Sequence, residues 1–338
     1  MRTPRSLQYD HRSPPFLHVI SRCVRRAFLC GDGCEHRRQW IEQRLELLAG
    51  CFAVDIAGYA VMTNHLHVVV RPVPDRIQTW SDEQVARAWL RACAPMGRDG
   101  CIREPTDLRI EAAIDQTEKL ATWRKRLGSL SWLMKALKEP ISRLANVEDD
   151  CTGTFWEGRF QSVPLLDQAA IVSCLAYVDL NPVRANLADS PESSEHTSIA
   201  KRIRARQAER VAQQTQDPHK HRQLREISRQ AQWLVSIATA TAGPNGHGGI
   251  PQDDYFCLVD VTGRAMRRGK RGRIPRELPA ILQRLDIDSA TWVRSMERPR
   301  SLLGVALGST EALAREALRR GRHWLQRRCA LLNGPASV

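Results

Sequence analysis

The stretch FAVDIAGYAVMTNHLHVVVRP, residues 52–72, decides the fold of this 338-residue chain. Residues 52–61 are rich in β-branched and aromatic side chains and form a run too short for a helix, so they predict a strand. Thr63 and Asn64 are polar and can turn the chain. An apolar run from His65 to Val70 follows and ends at Pro72, which closes a strand. The stretch therefore predicts a β-hairpin.

Two histidines stand at the start of the second strand of this hairpin. Side chains alternate across a strand, so His65 and His67 project from one face with Val69. Leu66, Val68 and Val70 project from the other face, which packs. Two neutral imidazoles this close can share one divalent cation. The alternative is a pair of half-exposed histidines on an edge strand.

The elements around the hairpin predict an α+β fold. Residues 16–20 predict a first strand, and the periodicity of residues 36–48 predicts a helix between that strand and the hairpin. Further helices are predicted over 81–93, 116–126, 129–146 and 167–180, with an insertion or loop at 95–117 and a strand or ordered loop within 151–163. This order is the one that a ferredoxin-like antiparallel sheet with helices requires.

The composition changes after about residue 190. Charged helices are predicted over 197–216 and 221–241, and the stretch AGPNGHGGIPQ reads as a linker. A second unit is predicted to open with a strand from Tyr255 to Val261 and to continue through helices. The predicted domains are therefore 14–200, a helical connector and linker at 201–252, and a basic, mainly helical unit at 253–338.

The charge of the chain favours a polyanionic partner. The formal net charge is +14 and comes mostly from arginine, whose planar fork suits phosphate. A genome that favours arginine codons is the alternative explanation. No stretch approaches the roughly 18 apolar residues of a membrane helix, and the N-terminus lacks the apolar core of a signal peptide. We expect a cytoplasmic protein without membrane contact.

Three motifs occur in order along residues 14–200. They are His65-Leu66-His67 within YAVMTNHLHVVVRP, Phe155-Trp-Glu-Gly-Arg-Phe-Gln161, and Tyr177-Val-Asp-Leu-Asn-Pro-Val-Arg-Ala-Asn186. In this combination the chain resembles the HUH single-tyrosine transposases, and within them the REP-associated tyrosine transposases, in a long form with a C-terminal extension. The resemblance implies the HUH fold, with a ferredoxin-like antiparallel sheet and helices.

The resemblance also implies a mechanism. Tyr177 would be the nucleophile, and His65 and His67 would hold Mg²⁺ or Mn²⁺. A tyrosine phenol is almost entirely protonated at neutral pH, so it needs help to attack a phosphodiester, and a divalent metal supplies that help. The implied product is a covalent 5′-phosphotyrosine with a free 3′-OH that can later rejoin DNA.

The remaining tyrosines fit this role less well. Tyr9 lies in a tail that is expected to be disordered, Tyr59 is a strand residue beside the hairpin, and Tyr255 belongs to the predicted second unit. The alternative for Tyr177 is a ring that only packs in the core of its helix.

A third, oxygen ligand is expected because imidazole pairs rarely complete a Mg²⁺ shell. Asn181 lies one helical turn after Tyr177 and is the candidate from the resemblance. The alternative is that Asn181 caps a new helix that starts at Pro182. Asp179 and Glu157 are weaker candidates, and Asp179 is expected to be solvated or salt-bridged.

The substrate that the resemblance implies is single-stranded DNA folded into an imperfect hairpin. A protein that binds it combines Arg or Lys for phosphates with aromatic rings for unpaired bases. The candidate DNA-binding residues are Arg22, Arg25, Arg71, Trp156 and Arg159, together with Arg268 and Arg271 in the C-terminal unit. That unit is predicted to be a DNA-binding accessory, and the alternative is a dimerisation or protein-contact module, which would make the chain a homodimer.

Three functions follow from the sequence. The first is a metal-dependent transposase that nicks and rejoins single-stranded DNA at palindromic hairpins. The second is a nucleic-acid-binding regulator that keeps the fold but no longer transposes. The third is a metal-dependent phosphodiesterase that uses water as the nucleophile. Since it would act on DNA, we expect the protein to associate with the nucleoid.

Overall fold

The computed structural model describes residues 8–31, 33–97, 99, 101–243, 246–266 and 305–325, without the side chains of 264–266. This part of the chain has the predicted α+β class, with four strands among many helices. In chain order the elements are β1 (Phe16–Arg22), α1 (His36–Cys51), β2 (Val54–Val61), β3 (His65–Pro72), α2 (Pro74–Gln78), α3 (Asp82–Ala92), α4 (Asp107–Ile114), α5 (Thr117–Leu127), α6 (Leu130–Glu148), β4 (Gln161–Leu165), α7 (Gln168–Asp179), α8 (Asn181–Arg184), α9 (Ser198–Gln214), α10 (Pro218–Arg229), α11 (Ile237–Thr241), α12 (Gln252–Met266) and α13 (Thr310–Arg319).

The four strands form one antiparallel sheet in the order β2-β3-β1-β4. The predicted hairpin is present, with Val61 of β2 opposite Leu66 of β3. β3 is therefore an interior strand, paired with β2 on one side and β1 on the other, so its histidines do not lie on an edge. The register between β1 and β3 places Ile20 opposite His67 and Arg22 opposite His65.

The two faces of the sheet pack against different sets of helices. Leu66, Val68 and Val70 of β3 belong to a core with residues of α1, α3, α5 and α6. Val69 belongs to a second core with residues of α7, α11 and α12. The predicted alternation along β3 is confirmed, and His65 and His67 share the face that α7 covers.

Gly58 allows the close approach of α7 to β2. The β2–β3 register shifts between Ile56 and Gly58, which marks a bulge. A Cβ atom on Gly58 would lie 2.7 Å from Cδ2 of Leu175 on α7 and 3.2 Å from the hydroxyl of Ser198. Glycine at this bulge therefore sets the distance between the sheet and the helix that carries Tyr177.

Three local predictions were wrong. The segment 95–117, predicted to be an insertion or loop, contains α4. The predicted strand from Tyr255 to Val261 lies inside the helix α12. Tyr9, expected in a disordered tail, is buried in the first core.

The described start of the predicted C-terminal unit packs against the sheet domain. Tyr255 and Leu258 of α12 are fully buried in the second core, and the Tyr255 hydroxyl donates to Asp179 Oδ2 at 2.6 Å. The predicted boundary at residue 253 thus falls inside α12, a helix that shares the core of α7. Arg268 and Arg271 lie outside the described residues.

No helix in the described ranges combines the length and the apolarity that crossing a membrane requires.

Candidate functional site

His67 lies in the middle of the sheet, bonded to a histidine of the neighbouring strand. Nε2 of His18 on β1 and Nδ1 of His67 are 2.8 Å apart, and both side chains are buried. The outer nitrogens, His18 Nδ1 and His67 Nε2, are buried without a hydrogen-bond partner among the described residues. Because each neutral imidazole carries one proton, the shared bond leaves one of these outer nitrogens with an unpaired N–H.

His65 is held by the residue before it in the chain. Its Nδ1 lies 2.6 Å from Oδ1 of Asn64, and Asn64 Nδ2 donates to the carbonyl oxygen of Arg26 at 3.2 Å. The Arg26 carbonyl fixes which end of the amide faces the histidine. Since the amide oxygen can only accept, Nδ1 of His65 carries the proton. Nε2 of His65 therefore presents a lone pair.

The histidines are neutral at physiological pH. Burial lowers the pKa of His18 to about 3, helped by His65 and Arg22. Burial also lowers the pKa of His65 to about 4, with further contributions from Arg22 and Arg184. The pKa of His67 lies well below its usual value for the same reasons. Neutral imidazole is the form that binds a metal ion.

Tyr177 on α7 lies against the histidines. Its ring centroid is 5.6 Å from that of His67 and 5.9 Å from that of His18, and both contacts are edge-to-face. The His65 and His67 rings are 4.7 Å apart. The other three tyrosines are buried elsewhere: Tyr59 bonds Glu42, Tyr255 bonds Asp179, and Tyr9 stacks on His11.

Arg184 on α8 covers the phenol. Its guanidinium lies 4.6 Å from the Tyr177 ring centroid, and Nη2 donates to the Tyr177 hydroxyl at 3.3 Å and to Asn181 Oδ1 at 2.8 Å. Tyr177 is only 4% exposed, so a substrate can reach the hydroxyl only after this side chain moves. Nη1 of Arg184 and Nδ2 of Asn181 are buried without a partner among the described residues.

No protein-family model, curated protein or solved structure matches this chain.

The donor atoms fit a small divalent cation in part. Nε2 of His65 carries a lone pair, and Nε2 of His67 is buried without a partner in the described structure. In the described residues no group of three or more His, Cys, Asp or Glu side chains could hold a metal ion. His18 is not a third ligand because its Nε2 faces Nδ1 of His67. A cation held here would need oxygen ligands from elsewhere, such as water or phosphate.

Asn181 is buried one turn after Tyr177, with its oxygen bonded to Arg184. Metal ligation by Asn181 would therefore require Arg184 to leave. The alternative helix-cap role is not observed, because α8 begins at Asn181 itself and Leu180 is at the cap position. The ligand role stays a prediction.

Arg22 lies beside the histidines, and Arg25 follows it in the chain just after β1. Arg22 is the cross-strand partner of His65 on the same face, and its charge lowers the pKa of His65. Arg25 is exposed and follows β1 in a left-handed backbone conformation with φ of 53°. Of these two predicted DNA-binding residues, Arg22 is therefore placed at the site, and the DNA-binding role of both stays a prediction.

Trp156 and Arg159 line a groove of about 460 Å³ beside α6, together with Lys135. Trp156 Nε1 donates to the Lys138 carbonyl at 3.1 Å, and the ring is buried, so it is not free to stack on a base. Arg159 is exposed. The backbone of this loop continues to the site, because the Glu157 N–H donates to the Arg22 carbonyl at 2.7 Å.

Arg71 is not part of this group. It lies six residues beyond His65 along β3, about 20 Å at the rise of an extended strand. Its Nη2 is 2.7 Å from Asp55 Oδ2, and its guanidinium lies over the Phe16 ring. The structure gives Arg71 a role in holding the far end of the sheet.

The expectation that Asp179 is solvated or salt-bridged was wrong. Its carboxylate is buried and accepts hydrogen bonds from the Tyr255 hydroxyl, the Ser198 hydroxyl at 2.7 Å and the Ile199 N–H at 3.2 Å. Burial raises the pKa of Asp179 to about 6, against the effect of these donors. Glu157 is exposed. Among the described residues, neither carboxylate forms a hydrogen bond or an ion pair with the histidines.

Three residues of the site were missed in the sequence: His18, Asn64 and Arg184. His18 is the one polar side chain in the apolar run FLHVI, which is a signal that it is bonded to something. Asn64 directly precedes the histidine pair, and Arg184 lies in the motif that contains Tyr177 and Asn181. Their spacing alone does not show which of them meet, because that depends on the register of β1 with β3 and on the turn between α7 and α8.

Proposed function

We propose that this protein is a metal-dependent transposase that nicks and rejoins single-stranded DNA at palindromic hairpins through Tyr177. The observation that carries the proposal is the contact of the Tyr177 ring with His67, next to His65. A phenol, two neutral imidazoles and two arginines then surround one point. The strand order, which is that of a ferredoxin-like sheet, supports the HUH fold that the motifs suggest.

The two imidazole Nε2 atoms would hold Mg²⁺ or Mn²⁺. A divalent cation bound there withdraws charge from a scissile phosphate. Arg22 and Arg184 flank the same position and can donate to phosphate oxygens, and Arg184 has one buried N–H group without a partner in the described structure. Once Arg184 has released the phenol, the two guanidinium groups would stabilise the charge that develops on the phosphate in the transition state.

The reaction begins when Arg184 releases the Tyr177 hydroxyl. The phenol oxygen attacks the phosphorus in line, the bond from phosphorus to the 3′ oxygen breaks, and the leaving oxygen takes up a proton while the phenol gives one to solvent. The product is a 5′-phosphotyrosine and a free 3′-OH. That hydroxyl, or another one, later attacks the phosphotyrosine and restores the phenol without any energy source.

The proposal is tested with a labelled hairpin oligonucleotide and Mn²⁺. We expect a protein–DNA adduct that survives denaturation, that is absent in Tyr177→Phe and that also disappears in His67→Ala. Tyr59→Phe is the matched control, because that phenol bonds Glu42 away from the histidines. An adduct that persists in Tyr177→Phe would sink the proposal.

A second candidate is a phosphodiesterase that uses water. Tyr177 is only 4% exposed, and Arg184 covers its hydroxyl. Both observations favour this candidate, because a water molecule would reach a phosphate bound at the histidines more easily than the covered phenol would. In the same assay it predicts cleavage without an adduct, which Tyr177→Phe does not reduce. Binding without cleavage under these conditions would indicate a regulator instead.

A further inference from the structure

Each of the two β3 histidines is bonded at Nδ1 by a different neighbour. His65 Nδ1 donates to Asn64 Oδ1 at 2.6 Å, and His67 Nδ1 lies 2.8 Å from His18 Nε2. Both bonds use the nitrogen nearer to the backbone. In both rings, Nε2 is the nitrogen that takes no part in this bond. The arrangement is the same at two residues although the partners come from different parts of the chain.

The His65 arrangement is fixed by a chain of hydrogen bonds. The Arg26 carbonyl accepts from Asn64 Nδ2, so Asn64 turns its oxygen toward His65. An oxygen cannot donate, which leaves the proton of His65 on Nδ1. Asn64 therefore selects the tautomer whose Nε2 can bind a cation.

The bond between His67 and His18 has two possible arrangements, which differ in the ring that donates the proton. If His67 Nδ1 donates to His18 Nε2, then His67 Nε2 has a lone pair, and the unpaired N–H belongs to His18 Nδ1. If His18 donates, the unpaired N–H sits on His67 Nε2, which could not bind a cation. Both outer nitrogens are buried and lack a partner in the described structure. A cation at His67 Nε2 would satisfy that atom in the first arrangement only.

We propose that His18 and Asn64 are positioning residues that hold His67 and His65 in the tautomers whose Nε2 atoms bind the cation. The proposal rests on the metal site of the proposed function. Neither residue is a ligand. Each accepts a hydrogen bond from a protonated Nδ1 and thereby fixes the orientation of that histidine ring. Such neighbours of metal-binding histidines commonly change metal affinity by about 10–100-fold.

The test compares two substitutions of His18. His18→Gln keeps an oxygen that accepts from His67 Nδ1, whereas His18→Leu fills the space without an acceptor. ¹⁵N NMR of histidine-labelled, metal-free protein reports the tautomer of each ring. We expect His67 protonated at Nδ1 in the wild type and in His18→Gln, and protonated at Nε2 in His18→Leu.

Mn²⁺ affinity, measured by EPR without DNA, is the second readout. We expect His18→Leu to weaken binding about 10–100-fold and His18→Gln to restore most of it. Val69→Ala is the matched control, because it removes buried volume from the same face of β3 without removing a hydrogen bond. It should lower the thermal midpoint and leave both the tautomer and Mn²⁺ binding unchanged.

Asn64 is tested in the same way with Asn64→Asp, which keeps an accepting oxygen, and Asn64→Leu, which does not. An unchanged His67 tautomer and unchanged Mn²⁺ affinity in His18→Leu would overturn the proposal for His18. The same result at His65 in Asn64→Leu would overturn it for Asn64. These outcomes are separate from the adduct assay: a wild type that shows the expected tautomers and binds Mn²⁺ but forms no adduct contradicts the transposase and leaves the positioning roles intact.

Discussion

The contacts of Arg184 bear on whether Tyr177 acts as a nucleophile or only packs in the core. It bonds the phenol and Asn181 with one nitrogen, and its other terminal nitrogen is buried without a partner among the described residues. A side chain that only covered a packed tyrosine would not need a fork-shaped donor. Burial is the main reason that the pKa of both β3 histidines is low, and the charge of Arg184 lowers it further.

Replacing Arg184 should therefore slow adduct formation. We expect Arg184→Ala to lower the single-turnover rate by roughly 10²–10³-fold, as for the loss of one oriented donor to a transition state. Arg184→Lys keeps the charge but loses the fork and should lie between Ala and the wild type. An Ala variant that reacts at the wild-type rate or faster would show that Arg184 is only a cover.

The backbone at Arg25 argues that this side chain is there for binding. Its φ of 53° is in the left-handed region, which costs a non-glycine residue roughly 1 kcal/mol. Arg25→Gly removes that strain, so we expect an equal or higher thermal midpoint. At the same time we expect weaker binding of single-stranded DNA. The slope of the logarithm of the binding constant against the logarithm of the salt concentration should become shallower by about 0.7 for each phosphate contact that is lost.

The control for Arg25 is Arg71→Gln. Arg71 is paired with Asp55 at the far end of β3, so its loss should leave the salt dependence of DNA binding unchanged. If Arg25→Gly and Arg71→Gln weaken binding equally, the effect reflects net charge rather than position.

At the scale of elements, α7 is fixed by a buried carboxylate. Asp179 at its end accepts from Tyr255 on α12 and from Ser198 at the start of α9. Three helices distant in sequence thus meet at one side chain. Asp179 follows Tyr177 by two residues, so this junction also sets the position of the phenol.

Asp179 should make stability depend on pH in a defined direction. Burial raises its pKa from the ordinary 3.8 to about 6, so between these values the folded state binds more protons than the unfolded state. Its contribution to the free energy of unfolding is complete below about pH 4 and is lost as the pH rises through 6. The shift corresponds to roughly 3 kcal/mol.

Urea unfolding of the wild type and Asp179→Asn at several pH values isolates this contribution. We expect the free energy of unfolding of the wild type, relative to that of Asp179→Asn, to decrease as the pH rises from 4 to 6. Asp253→Asn is a control of opposite sign, because Arg206 lowers the pKa of Asp253 and its contribution is lost as the pH falls. If the free energies of unfolding of the wild type and Asp179→Asn changed with pH in parallel, a buried Asp179 with a raised pKa would be contradicted.

Elements with strong local periodicity were predictable from the sequence, and those that depend on distant packing were not. The hairpin and α1 follow from alternation and from helical spacing. In α12, the β-branched and aromatic residues from Tyr255 to Val261 favoured a strand, whereas Asp253 and Asp254 in the first turn favour a helix. Packing against α7 decides between these tendencies, and no local pattern reports it.

The same reasoning separates the parts of the site. His65, His67 and Tyr177 were predicted and lie together. His18 was missed because a strand residue joins a site only through its register with another strand. The helix over 167–180 was predicted, but its burial on all sides from Ala170 to Asp179 was not, since helices much later in the chain cover its outer face.

At the scale of the whole molecule, the described C-terminal helix α12 belongs to the body that carries the site. We expect Leu258→Ala, at a fully buried position of α12, to lower the free energy of unfolding by about 2–5 kcal/mol. Leu318→Ala on α13 is the control, since that side chain is 76% exposed and should change stability little. If Leu258→Ala left the free energy of unfolding of the sheet domain unchanged in a chemical unfolding experiment, α12 and the sheet domain would be independent.

The bond between Tyr255 and Asp179 spans 76 residues of chain, and it therefore orders events during biosynthesis. The segment that carries the histidines and Tyr177 leaves the ribosome well before α12 does. Until α12 emerges, α7 lacks the cover of that helix, and Asp179 has only its donors from Ser198 and Ile199. Under the proposed function, a nascent chain or a prematurely terminated product that lacks α12 should therefore cut DNA more slowly than the full chain, because α7 is less firmly held.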